Sequence, residues 1–82
     1  SKPHPQMLLE LMEELGVSPE QTIMVGDTEY DMEMATNAGA CKVAVSSGVH
    51  AEARLKRHAP LVCLKQVADM PNWMAGAGII PG

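Results

Sequence analysis

The sequence predicts an α/β domain of parallel strands with helices on both faces. Three observations carry this. Residues 22–25, 41–45 and 61–64 are short runs, nearly all apolar or β-branched. Runs without polar alternation mark strands covered on both faces, as in parallel sheets. Helical patterns stand before and between them, at residues 6–15, 29–38 and 51–58. The helices end on stop signals: Gly16, Gly39 and, after the third, Pro60. The order helix, strand, helix, strand, helix, strand implies parallel strands joined by crossovers.

Each element has a local reason. Pro3 and Pro5 keep the first residues extended, and Pro5 suits the first turn of a helix. In that helix Met7, Leu8, Leu11, Met12 and Leu15 form one apolar stripe opposite Glu10, Glu13 and Glu14. Ser18-Pro19-Glu20-Gln21 places a cap residue, then proline, then glutamine, which marks one short turn before the first strand. The second helix is expected to turn Met34, Ala35 and Ala38 inward. Residues 66–70 suit a single helical turn. From Pro71 onward the chain is uncharged and has too many glycines for a helix. It is expected to pack against something or be disordered. These patterns divide the chain into a domain over residues 1–72 and an apolar tail over 73–82.

Composition narrows the function. With 82 residues the chain has room for one small domain, which buries only about 60–65% of its unfolded surface. Apolar residues make up 46%, yet there is no Phe, one Tyr and one Trp, so aliphatics and methionine must fill the core. The net charge is −4. The only basic concentration, from Arg54 to His58, reads as a solvated helix end favoured by the helix dipole. A nucleic-acid surface would need a larger basic face with stacking aromatics. No apolar run approaches the ~20 residues of a membrane span. Cys41 and Cys63 sit in strand-like runs without a C-x-x-C pattern, which suits reduced cysteines in the cytoplasm.

The chemistry concentrates at the end of the first strand. Gly26 interrupts the apolar run, Asp27 follows it, and Asp31 comes four residues later in the first helical turn. Open α/β sheets bind ligands outside the carboxyl ends of their strands. Two carboxylates there make a seat for a hard cation such as Mg²⁺. The plainer reading is a helix start, with Thr28 and Asp31 as a capping box and acids favoured by the dipole. From position alone Lys2 reads as a solvated terminal lysine.

Together, Lys2-Pro3-His4-Pro5, a helix, Gly26-Asp27-Thr28-Glu29-Tyr30-Asp31 after a hydrophobic strand, and Ala38-Gly39 before the next one resemble the carboxyl-terminal part of a haloacid dehalogenase (HAD) superfamily hydrolase. The resemblance is greatest to the phosphoglycolate phosphatase-like branch, and it thins after Gly48. It implies a partial Rossmann-like, three-layer catalytic domain. It also implies Lys2 as the lysine that neutralises phosphate and nucleophile, Asp27 as a Mg²⁺ ligand and Asp31 as a supporting acid. No other cofactor is implied.

The family's nucleophile is an aspartate of a D-x-D motif that forms an aspartyl-phosphate. The chain's aspartates are Asp27, Asp31 and Asp69, and no two have that spacing. The expectation is therefore part of a Mg²⁺-dependent phosphatase for a small phosphorylated metabolite, inactive alone and completed by an amino-terminal half. The alternative is a non-catalytic half-domain that binds a partner or assembles as a homodimer.

Overall fold

A computed structural model describes residues 4–47 and 50–79. Three parallel strands form one sheet in the order β1-β2-β3: β1 is Ile23–Gly26, β2 Cys41–Val45 and β3 Cys63–Leu64. Ile23 pairs with Cys41 and Gly26 with Ala44, while Ala44 also pairs with Cys63. Helices α1 (Gln6–Leu15), α2 (Glu29–Ala38), α3 (Glu52–Lys56) and α4 (Met70–Gly76) surround it. This is the α/β, Rossmann-like partial domain expected from the sequence.

Local signals place α2 well. Thr28 caps its start, and its last turn closes on Gly39, whose φ of 75° lies in the left-handed region that glycine enters without a Cβ penalty. The core forms where α2 and α3 meet the middle strand. Met32, Ala44 and Leu55 are fully buried together, and Cys63 packs against them. Met34 was expected on the inner face of α2. The structure puts Met32 there with Ala35 and Ala38, leaving Met34 half-buried. Met32 lies one turn before Ala35 and Thr36, so its side chain reaches back under the helix start.

Three expectations need correction. The first concerns α1, whose predicted core stripe is largely in solvent: Met7 is 78%, Leu11 50% and Leu15 66% exposed, and only Met12 is buried. The second concerns the elements after β2. The third helix is the short Glu52–Lys56, and the third strand is Cys63–Leu64, although the chain reaches β2 two residues earlier, with the Leu61 N–H donating to the Lys42 carbonyl and the Val62 carbonyl accepting from the Ala44 N–H. The third concerns residues after Pro71, where helix α4 runs across the 72/73 boundary drawn from the sequence. Pro71 sits in its first turn, where a missing N–H costs nothing, and Gly78, at φ 77°, follows its end. The expected turn before it is a 3₁₀ turn, Val67–Asp69.

Candidate functional site

At the carboxyl ends of β1 and β2 lies a cleft of about 200 Å³. Asp27, Asp31 and Ser47 give it a polar side; Val25, Val45 and Val67 give it an apolar one. The structure thus brings Asp27 and Asp31 together. Lys2 lies outside the described residues.

The two acids do different work. One oxygen of Asp31, Oδ2, accepts hydrogen bonds from the Asp27 N–H at 3.1 Å, the Thr28 N–H at 3.2 Å and the Thr28 hydroxyl at 3.0 Å. The Asp31 N–H in turn donates to Thr28 Oγ1 at 3.2 Å. This is the capping box foreseen as the plainer reading, extended by one residue so that it also grips the backbone of Asp27. Asp31 therefore builds the strand-to-helix turn, at a helix start where a carboxylate is favoured. The carboxylate of Asp27 receives no hydrogen bond from the described residues, so its oxygens are available to a ligand.

The chain's oxygen donors fit a Mg²⁺ ion in part. Mg²⁺ is commonly held by one or two carboxylates with water and substrate oxygens completing its shell. Asp27 offers such a ligand beside a cleft. No group of three metal-capable side chains occurs among the described residues.

A second cluster, not foreseen from the sequence, gathers around Glu29, two residues after Asp27. The Glu29 carboxylate accepts from Arg54 Nη2 at 2.6 Å and Nε at 2.7 Å, and from His58 Nε2 at 2.9 Å. The Glu29 backbone N–H donates to His50 Nδ1 at 2.9 Å. The expectation that residues 54–58 form a solvated helix end is thus corrected for His58, which is half-buried, while Arg54 stays exposed but pairs with Glu29, and Lys56 pairs with Glu52 on the surface. A usable signal was present. His50, Arg54 and His58 recur every fourth residue, the spacing of neighbours on one helix face, although only Arg54 lies within α3 itself.

Hydrogen bonding from His58, followed by that from Arg54, lowers the pKa of Glu29 below its ordinary value of 4.5. The folded state therefore binds a proton less readily here than the unfolded chain. The resulting stabilisation is full above about pH 4.5 and is lost as pH falls through the lowered value. Thermal unfolding of wild type and Glu29→Gln should show wild type more stable near neutrality, with the gap closing on acidification.

A parallel α/β sheet with an acid-bearing turn at its carboxyl edge defines a class of ligand-binding α/β domains. The comparisons specify which class this is. The HAD-hydrolase-like family pattern matches residues 1–70, and the chain belongs to that family. It is 39% identical over 69 residues to pyrophosphatase PpaX of Bacillus mycoides, covering 84% of this chain and 32% of PpaX. A predicted phosphoglycolate phosphatase of Haemophilus somnus has a TM-score of 0.77 at 27% identity, over 89% of this chain and 32% of that one. A HAD family hydrolase of Deinococcus radiodurans, solved with bound phosphate and sodium, has a TM-score of 0.80 at 26% identity, over 98% of this chain and 37% of that one. The chain thus spans about a third of the length of these relatives. No helix among the described residues is long and apolar enough to cross a membrane.

Proposed function

We propose that the protein carrying this chain is a Mg²⁺-dependent phosphatase acting on a small phosphate monoester of the phosphoglycolate type. One observation supports this above the others: Asp27 stands at the carboxyl end of β1 with its carboxylate turned over to no described partner, beside a cleft. Asp27 would hold the ion, which when bound supplies positive charge to the phosphoryl oxygens. Asp31 holds the Asp27 backbone in place. Lys2 is assigned, on the family pattern, to neutralise phosphate and nucleophile. Phosphoryl transfer draws most of its acceleration from such positioning and charge compensation.

The aspartate nucleophile is assigned to a part of the protein beyond these residues, so the 82-residue chain is expected to be inactive alone. The two free cysteines suit a reducing compartment, and we assign the cytoplasm.

The deciding experiment is a phosphate-release assay, with and without Mg²⁺, on the full-length protein and on the isolated chain. Phosphoglycolate, pyrophosphate and p-nitrophenyl phosphate are the substrates. Mg²⁺-dependent turnover only by the full-length protein supports the reading. An inert full-length protein defeats it. Activity of the isolated chain that is lost in Asp27→Ala would remove the claim that the nucleophile lies elsewhere.

A second reading is favoured by a different feature. Among the described residues β1 is an edge strand with one side unpaired, and the exposed stripe of α1 and the partly exposed Val25 add apolar surface. As an assembly module the chain would pair with a second copy. Light scattering behind size exclusion gives twice 8.8 kDa in that case and 8.8 kDa otherwise.

A further inference from the structure

We propose that Glu29 is a positioning residue for the cleft: through Arg54, His58 and His50 it fastens the chain that follows β2 to the turn that carries Asp27. The functional weight of this rests on reading the cleft as a phosphate site; the fastening itself does not.

The geometry supports it from both ends. On one side, Glu29 lies two residues past Asp27, in the first turn of α2, so whatever holds Glu29 holds the turn. Asp31 already grips that turn from inside through Asp27 N–H and Thr28 N–H. His50 adds the next amide in line, taking the Glu29 N–H at 2.9 Å. Three successive backbone donors at the helix start are thereby satisfied by side chains, two by Asp31 and one by His50.

On the other side, His50 stands three residues beyond Ser47, which forms part of the cleft wall. Ser46 is tied to β3, its N–H donating to the Leu64 carbonyl at 2.8 Å. Ser47 therefore sits between a tether to β3 and a tether to the start of α2.

The Glu29 carboxylate secures the second tether. Both Arg54 donors reach Oε2, and His58 reaches Oε1. Fixing α3 in this way fixes the helix that begins just after His50. The side chains of His50, His58 and Glu29 are 11%, 19% and 22% exposed, so water competes weakly for the two histidine bonds, whereas Arg54, 47% exposed, makes a partly solvated pair with Glu29. Among the described residues, the charged and titratable groups facing His50 are Glu29 and Tyr30 from α2 and Arg54 and His58 from α3 and its end.

The chemistry also fixes a tautomer. An N–H donor can meet Nδ1 of His50 only if that nitrogen carries a lone pair, so the geometry calls for the tautomer with the proton on Nε2. Asparagine at position 50 offers a carbonyl oxygen near the place of Nδ1. Phenylalanine fills the space without an acceptor.

The test uses the 82-residue chain with ¹⁵N labelling. Amide hydrogen exchange is measured for wild type, His50→Asn, His50→Phe, Glu29→Ala and Glu29→Gln, with imidazole ¹⁵N shifts of wild type recorded at pH 8. The expected result has four parts. His50 shows the Nε2–H tautomer. The Glu29 amide exchanges about tenfold faster in His50→Phe and Glu29→Ala, whereas His50→Asn stays within about threefold of wild type. Backbone relaxation at Ser47 reports greater motion in the two loosened variants. Val43 and Ala44 in the middle strand change less than about twofold.

A purely structural role would raise exchange at Val43 and Ala44 in step with Glu29, and that overturns the proposal. So does a slow Glu29 amide in His50→Phe, or a His50 ring protonated on Nδ1. If Glu29→Ala fails to fold, the two His50 variants decide alone. None of these readouts needs phosphatase activity, so failure here and failure of the phosphatase reading are separate results.

Discussion

Gly26→Ala is expected to cost about 3 kcal/mol of folding stability and to displace the turn that carries Asp27. The reason is space, because Gly26 lies outside the left-handed region. A Cβ built on Gly26 would collide with the Cβ of Asp31 and would lie 2.6 Å from its Cγ and Oδ2. Nonbonded carbons need about 3.5 Å. Asp31 cannot swing away freely, since its Oδ2 holds three donors of the turn. Either the new methyl group pushes the helix start off the strand or the Asp31 bonds break. Urea denaturation of Gly26→Ala against Gly76→Ala measures this. Gly76 has nothing within 4 Å of an added Cβ and lies in a helix, so its replacement should be neutral or slightly stabilising. Equal effects at the two positions would refute the close-packing argument.

Asp27→Asn should have the opposite profile. On the proposed reaction, the full-length protein should lose about 3–4 kcal/mol of transition-state stabilisation, roughly a 10²–10³-fold fall in kcat/KM. Higher Mg²⁺ should recover little of it, because a neutral amide is a poorer ligand for a hard cation. Folding stability should move by less than about 0.5 kcal/mol, since no described group bonds the carboxylate. Paired kinetics and denaturation on the one variant check both halves. A large loss of stability would show Asp27 to be a structural acid.

Much of this was legible in the sequence because it depends on neighbours a few residues apart. Thr28, Gly39 and the alanines between them fix α2 by capping, termination and close packing, all local effects. The Gly26–Asp31 spacing could be read for the same reason. What was missed depends on distant partners. Glu29 meets Arg54 and His58 across more than twenty residues, and a charge beside a helix end looks solvated until its partner is known. The stripe on α1 is a real amphipathic pattern, but its partner surface is not among the described residues. In α4, the glycines gave a helix propensity too low to predict a helix, yet Pro71 sits in the first turn, where it is tolerated, and the backbone caps the end.

The division of labour between Asp31 and Asp27 bears on how such a protein would decay under relaxed selection. Gly26 and Asp31 maintain the shape of the turn, whereas Asp27 contributes nothing to it that the described residues reveal. A lineage that no longer needed the reaction would shed Asp27 first and keep Gly26 and Asp31. The product would be a pseudoenzyme with an intact scaffold. Retention of the G-x-x-x-x-D frame therefore reports on folding, and only the acid after the glycine reports on chemistry.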